Sequence, residues 1–531
     1  MEVKVVSART NLMLGDLARQ LEGAPGSGAL ELRGESVPIS SVTIDSRKAG
    51  EKALFVAVQG ENAHGASYAG AALAQGCRAI LTDEAGASIV SAHHPETQCA
   101  LLLCEDPRAL AGFAANLVYG EPSHEIPLVG VTGTNGKTSV TTMCARTLQE
   151  LGENAGIVGT NGTFLAWAGG REEKIPTERT TPEATDVHAL LRHMVDEGMT
   201  SAALEVSSHA MVLHRVAGVS FDVAVFTNLS QDHLDFHKDM EDYFEAKASL
   251  FTPVHARRGI VCVDDEWGRR LAKRATVPVT TYSAYGHEAD FTVGDINRGE
   301  YGTVFTVQPS EGAPFTLESA LPGTHYVANT LAVALVLRAL GCEGEKVRTA
   351  LAAAGTVPGR MERVGQSDAC PRVVVDYSHT PDALEHALET LHTLENVGEI
   401  VTVFGAGGHR DALKRPLMGE VAARLSDRVF VTDDNPRDEE PALIRQDVLA
   451  GIPEGSRARV ENVGDRAEAI ARAIGEAKIN DVVLIAGKGA ESGQVLADRT
   501  IDFDDRVHAR DALRTWAKRN ATRMMKEEHD A

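Results

Sequence analysis

The chain has 531 residues, 43% hydrophobic and 24% charged, with a formal net charge of −23. That length exceeds what one hydrophobic core sustains and predicts about three domains at ~150 residues each. The acidic balance excludes a nucleic-acid binder and a partner of anionic membranes, which need a basic face, and the composition excludes disorder and a disulfide scaffold.

Along the chain, Met1–Asn11 lacks the long apolar run of a signal peptide, and no stretch of 18 apolar residues follows anywhere. The first third reads as short strands and helices separated by glycines. Strands are expected at 42–47, 53–58 and 77–82, with an alanine-rich helix over 68–75. The polar break Gly120-Glu-Pro-Ser-His-Glu125 is a linker candidate. An apolar strand at 126–131 then runs into a glycine-rich turn and a helix, and further strands are expected at 202–206 and 223–226. In the last third, apolar runs at 373–375, 400–404, 428–431 and 482–486 are each followed by turn residues and a helical pattern. Thr380-Pro381 sets a cap residue before a proline at the first helical position. Alternating strands and helices predict an α/β protein built on doubly wound parallel sheets, whose sites lie at the carboxyl ends of strands. The seven cysteines form no C-x-x-C pair, so neither a zinc ribbon nor a redox dithiol is indicated, and scattered apolar cysteines fit a cytosolic protein.

The sharpest motif is Gly130-Val-Thr-Gly133-Thr134-Asn135-Gly136-Lys137-Thr138-Ser139. Glycines let backbone N–H groups reach phosphate oxygens, the helix start adds partial positive charge, Lys137 reaches terminal phosphates and the Thr138 hydroxyl can bind Mg²⁺. With a strand before and a helix after, this predicts a nucleotide site rather than a bare turn. Glu205, after a strand, is either a Mg²⁺ ligand or a helix-capping acid. Asp232, His233, Asp235 and His237 are either a metal or phosphate cluster or a polar loop. Lys247, among Glu241, Asp242 and Glu245, reads by itself as a solvated or ion-paired helical lysine. Three loops after strands (405–411, 433–437 and 487–491) are expected to share one cleft, where an arginine fork matches a carboxylate.

Val131–Thr138, Glu205-Val-Ser-Ser-His209, Phe226–Asp235 and Asp434-Asn-Pro-Arg437 together resemble the Mur ligases, from Asp45-Ser-Arg47 to Asp505-Arg-Val507. The resemblance implies three domains: a smaller N-terminal α/β domain (1–122) for the uridine end of the substrate, a central P-loop-type sheet (123–357) for ATP, and a C-terminal Rossmann-like sheet (358–531) for an amino acid. It implies an ATP-dependent, acyl-phosphate-forming ligation. UDP-N-acetylmuramoyl-L-alanyl-D-glutamate would be the carboxylate donor and meso-2,6-diaminopimelate the amine, in a cytoplasmic monomer of peptidoglycan precursor synthesis. By the same resemblance Ser46, Arg47, Glu61, Asn62 and Ala63 contact the uridine end. Thr180, Thr181, Ser207 and Arg215 grip the muramoyl-dipeptide, and Asn329, Arg360 and Asp376 join the phosphate loop on the nucleotide. Arg410, Asp434, Asn435, Arg437, Gly487 and Glu491 form the diaminopimelate pocket. Lys137, His233 and Lys247 serve catalysis: Thr138 and Glu205 hold one Mg²⁺, and His233 with a carbamate on Lys247 holds a second. Arg437 would select the distal carboxylate that lysine lacks.

The sequence departs from the family pattern at Leu213, Tyr326, His409, Ala412, Leu413, Ala490 and Gly493. Two other readings stand beside this one: the same ligation with lysine or another diamino acid, and a P-loop ATPase switch without ligation.

Overall fold

The computed structural model describes residues 12–177, 179–299, 302–365 and 369–530. Met1–Asn11, read above as carrying no leader, lies outside them. Among the described residues, five strands form an N-terminal sheet: β1 (Glu31–Arg33), β2 (Ser41–Thr43), β3 (Ala53–Val56), β4 (Ala79–Thr82) and β5 (Ala100–Leu103), in the order β1-β5-β4-β3-β2. Every residue of β3, β4 and β5 is buried, the continuous apolar run of a parallel sheet covered on both faces. The strand expected to reach Arg47 stops at Thr43. There the Thr43 hydroxyl accepts from Asp45 N and the Asp45 carboxylate from Arg47 N, so local side-chain bonds replace the ladder and Ser46–Lys48 closes into a 3₁₀ turn.

Helix α1 (Pro107–Val118), capped by Asp106, leaves this sheet and lies directly on the central domain. A Cβ on Gly112 would overlap the Ala217 carbonyl, and one on Gly218 would come within 3.0 Å of the Gly112 carbonyl, so backbone meets backbone there. The polar break is not a loose tether. Pro122–His124 is a 3₁₀ turn, and Glu125 pairs with the fully buried Arg192 of α3 (Ala184–Asp196).

The central sheet has eleven strands among the described residues. Its middle is β6 (Leu128–Thr132), flanked by β10 (Ser201–Glu205) and β11 (Val223–Phe226), all parallel. Beyond β10 lie β7 (Ala155–Gly159), β8 (Gly162–Ala166) and β9 (Glu172–Ile175). Beyond β11 lie β12 (Gly259–Cys262), β13 (Val279–Ser283), β14 (Phe291–Gly299), β15 (Gly302–Pro309) and β16 (Phe315–Ser319). Side chains alternate across β6: Val129 and Val131 face the core under α2 (Lys137–Glu150), whereas Leu128 faces the core with Phe221 and Phe226. On α2, Val140, Met143, Cys144 and Leu148 supply the expected buried stripe.

The C-terminal sheet runs β17 (Glu362–Val364), β18 (Arg372–Asp376), β22 (Val482–Ala486), β19 (Ile400–Phe404), β20 (Arg428–Val431) and β21 (Arg459–Asn462). Only β17 is antiparallel. Thr380 caps the helix at Pro381–His392 as read, its hydroxyl accepting from Ala383 N at 3.2 Å. No helix among the described residues is long and apolar enough to cross a membrane.

Candidate active site

Because β10, β6 and β11 are neighbours, the loops after them emerge side by side, about 5 Å apart. The loop after β6 turns through Gly133 (φ +145°) and Gly136 (φ +86°) into α2, so its amides face the helix start. Side chains would not fit: a Cβ on Gly133 would collide with Thr227 Oγ1, and one on Gly136 would approach Asn329 Oδ1 at 2.7 Å. The loop after β11 wraps this turn. Asn228 Oδ1 accepts from Asn135 N at 2.9 Å, and Thr134 Oγ1 donates to Ser230 O at 3.1 Å. Lys137 Nζ donates to Gly133 O and Thr134 O at 2.9 and 2.8 Å. Burial holds its pKa down, against the opposing charges of Glu205 and Asp232.

Glu205 ends β10 as a buried carboxylate, accepting from Thr160 N and Oγ1 at 2.8 and 3.0 Å. It caps no helix; Ser207 does that for the turn at Ser208–Val212. Thr138 Oγ1 accepts from Arg360 Nη2 at 2.8 Å. His233 sits at φ +56°, 3.4 Å from the Asp232 carboxylate, with its ring edge-on to His209.

The solvated or ion-paired reading of Lys247 is wrong. Its acidic neighbours Glu241 and Glu245 pair instead with Arg270 and Arg274 on the outside of the helix. Lys247 points inward, 1% exposed, and donates to Gly133 O at 2.9 Å over the Tyr243 ring. No carboxylate among the described residues pairs with it, and burial together with nearby Lys137 drives its pKa well down. Sequence periodicity could not see this, because the inward face of that short helix is also its polar phosphate-loop face.

Beside the loop lies a cavity of about 410 Å³, lined by Thr134–Ser139, Asn329, Arg360 and Asp376 among others. Asp376 accepts from Met361 N and Ser378 N at 2.7 and 2.9 Å, and Arg360 lies over the Tyr377 ring. Tyr326, one of the departures from the family pattern, packs against half-buried His325, which stacks on His386.

The C-terminal loops do share a cleft. A Cβ on Gly487 would stand 2.7 Å from Asp434 Oδ2, and Asn435 bridges Glu491 and the fully buried Lys488 at 3.0 and 2.9 Å. Arg437 (φ +55°) donates to Gly408 O at 2.6 Å. Burial, then the approach of Arg410, lowers its pKa, and the charges of Asp434 and Glu491 oppose that without restoring it.

Thr181 Oγ1 donates to Glu205 O at 2.7 Å and accepts from Ser207 N at 3.2 Å, Thr180 Oγ1 meets Thr160 Oγ1 at 3.1 Å, and Arg215 reaches Glu183 at 3.1 Å. Ser46, Arg47, Glu61, Asn62 and Ala63 lie on the N-terminal sheet's rim, outside the nucleotide cavity.

Polar contacts join the central and C-terminal domains. Asp382 accepts from Asn135 Nδ2 and Ser230 Oγ at 2.9 and 3.2 Å, and buried Lys414 reaches buried Asp232 at 3.3 Å. Neither Asp382 nor Lys414 belongs to a recognisable motif. Among the described residues no cluster of His, Cys, Asp and Glu could hold a metal by itself. Oxygen donors at Thr138 and Glu205 suit a hard cation, and Lys247 suits one only without its positive charge.

Three family profiles cover the chain: the Mur ligase family catalytic domain over 38–110, the Mur ligase middle domain over 131–337 and the Mur ligase glutamate ligase domain over 359–489. The chain belongs to the Mur ligase family. It is therefore an ATP-dependent, peptide-forming ligase. A Streptomyces coelicolor relative, UDP-N-acetylmuramoyl-L-alanyl-D-glutamate–2,6-diaminopimelate ligase, is 42% identical over 94% of this Mur ligase and 96% of its own length. A Corynebacterium glutamicum relative of the same name is 43% identical over 95% and 96%. A solved structure of a ligase of that name superposes with a TM-score of 0.62 at 30% identity, over 90% of this Mur ligase and 95% of that chain. MurF from Thermotoga maritima, solved with ADP, shares the fold at 20% identity and TM-score 0.60, over 90% and 96%.

Proposed function

We propose that this Mur ligase joins meso-2,6-diaminopimelate to the D-glutamate carboxylate of UDP-N-acetylmuramoyl-L-alanyl-D-glutamate, as a cytoplasmic monomer. The observation that carries the acceptor is the pair Arg410 and Arg437, two neighbouring cations that Asp434 and Glu491 offset from a distance without an ion pair to either, which suits an amino acid with an extra carboxylate. The relatives' names agree with it.

The D-glutamate carboxylate attacks the ATP γ-phosphorus and ADP leaves. The diaminopimelate amine then attacks the acyl phosphate carbonyl, and phosphate leaves from the tetrahedral adduct. Such a displacement needs positioning and charge neutralisation more than a protein nucleophile. The phosphate loop orients ATP through its amides, and Lys137 exchanges its two loop carbonyls for phosphate oxygens. Thr180, Thr181, Ser207 and Arg215 would hold the D-glutamate carboxylate in line.

Thr138 and Glu205 would hold one Mg²⁺ and His233 with Lys247 a second, and the metals would neutralise charge developing on the phosphoryl group. Lys247 fits this role as a carbamate. Its amine is buried, bonded only to the Gly133 carbonyl with no carboxylate beside it, and disfavoured as a cation, so the neutral form can add to CO₂ with loss of a proton. Boundaries near 122 and 357 would let the three substrates meet between domains.

The test is an acceptor screen with ATP and the UDP-dipeptide, reading phosphate release. Diaminopimelate should drive turnover and lysine should not. Better turnover with lysine would overturn the acceptor, and phosphate release indifferent to amino acids would overturn the ligation.

A further inference from the structure

Behind the cleft of the C-terminal loops lies a lysine that solvent does not reach. The Lys488 side chain is 0% exposed, and its ammonium donates to Asn435 Oδ1 at 2.9 Å and to Glu491 Oε2 at 3.2 Å. A buried ammonium needs such partners, and here both belong to the proposed acceptor pocket. Val495 N donates to the same Asn435 oxygen at 3.0 Å. With both lone pairs of that oxygen engaged, the Asn435 amide faces one way only, and its Nδ2 donates to Glu491 Oε2 at 3.0 Å. One Glu491 oxygen thus receives two bonds from fixed donors. The other receives none among the described residues, and the side chain stays 35% exposed. Glu491 makes no ion pair with Arg437 among those residues and offsets its charge only from a distance. The two are nevertheless in register, because the carbonyl of Val495 accepts from Arg437 N at 3.1 Å while its N–H fixes Asn435. Arg466, paired with Asp505 where neither side chain is exposed, donates to the Ala486 carbonyl at 2.9 Å, so the loop carrying Lys488 leaves β22 from a fixed point.

We infer that Lys488 is a positioning residue for acceptor specificity: without touching the acceptor, it holds Glu491 to receive the ammonium on the distal carbon of diaminopimelate, beside the carboxylate that Arg437 takes. This rests on the function proposed above. The charges correspond. The distal end of that acceptor is a zwitterion, and guanidiniums alone would leave its ammonium among like charges. A freely rotating carboxylate would offset them too, but it would fix no distance between the two groups. A held carboxylate fixes one, and such pre-organisation lets a site reject an analogue that lacks one group.

The test compares diaminopimelate with 2-aminopimelate, the same molecule without the distal amine, offered as substrate or as competitor of diaminopimelate. It is run on the full chain and on its Lys488→Met, Lys488→Gln and Glu491→Gln variants. Methionine keeps the length of the lysine and stays buried without a charge, and the thermal midpoint checks that the fold survives. Either Lys488 substitution should raise KM for diaminopimelate about tenfold or more. KM for ATP and the affinity for 2-aminopimelate should stay within about twofold, so the preference for the diamino acid falls. Combined with Glu491→Gln, Lys488→Met should cost no more than Glu491→Gln alone, since it acts through that residue. Equal losses for diaminopimelate and 2-aminopimelate, or additive losses in the double variant, would overturn the inference and leave Lys488 a brace for its loop. A Glu491→Gln chain that keeps its preference for diaminopimelate would overturn it as well, whether or not the Lys488 variants fold. Wild-type phosphate release that no diamino acid stimulates would instead remove the proposed function on which the inference rests.

Discussion

Replacing Lys414 by Met keeps the length of the side chain and removes its charge, which leaves buried Asp232 without its ammonium partner from the C-terminal domain. Burial opposes the Asp232 charge, yet the His379 hydrogen bond, His233 and Lys414 hold its carboxyl well below the usual range. Stranding one member of a buried pair costs about 3–5 kcal/mol. His379, 3.7 Å away, can take up part of the load, which puts the expected cost near about 3 kcal/mol, on the order of a hundredfold in an equilibrium constant. The partners sit on different domains, so the cost falls on domain closure rather than on the unfolding of either. Lys414→Met should therefore lower kcat/KM for ATP on the order of a hundredfold, with an enlarged radius of gyration by small-angle scattering and a little-changed thermal midpoint. Adding Asp232→Asn should cost less than the two single effects combined. A lowered midpoint with unaltered kcat/KM would refute the reasoning, since the pair would then act inside one rigid body.

Lys137→Ala should abolish turnover while the fold, read by circular dichroism, survives. Lys247→Ala should be nearly inactive and partly restored by a small added carboxylic acid; absence of rescue counts against the carbamate. Arg437→Ala should raise KM for diaminopimelate on the order of tenfold or more with little change for ATP, and parallel rises would reassign the residue. His188 is buried, bonded to Ala217 O at 2.9 Å, and its pKa is pushed from 6.5 down to about 4 by burial. The unfolded chain takes up that proton first as pH falls, so its contribution is present above about 6.5 and is lost progressively toward about 4. Denaturant midpoints should fall across that window, and His188→Gln should flatten the fall.

The phosphate loop and the strands around it were legible because each rests on local physics: glycines at positive φ, an apolar run before, a helix after. The joint cleft of the C-terminal loops was legible too, since strand ends in a parallel sheet share an edge. The turn after Thr43 was misread because two side chains, Thr43 and Asp45, outcompete the ladder for the same amides. Glu205 read equally well as a helix cap, and only its bonds to Thr160, with Ser207 capping the turn that follows, set that reading aside. Lys247, Lys414 and Lys488 were out of reach by pattern, because what sets each of them apart is its distance to a partner far along the chain. A lysine in a sequence string looks the same whether it faces water or a phosphate loop.

The two seams of this molecule are made of different materials. Between the N-terminal and central domains the backbones of Gly112 and Ala217–Gly218 abut, with the Arg108–Glu183 pair added to them. Between the central and C-terminal domains the contacts are side-chain bonds at Asp382, Lys414 and Arg360, with Tyr326 and Leu321 packed against the C-terminal core. Opening that second seam hands both members of each bond to water at once, unlike a substitution that strands one, so the net cost per bond is small. An acyl phosphate formed inside would be lost to hydrolysis whenever the seam parts before the amine arrives. The yield of peptide per ATP is then governed less by the phosphate loop than by how long these side-chain contacts stay shut.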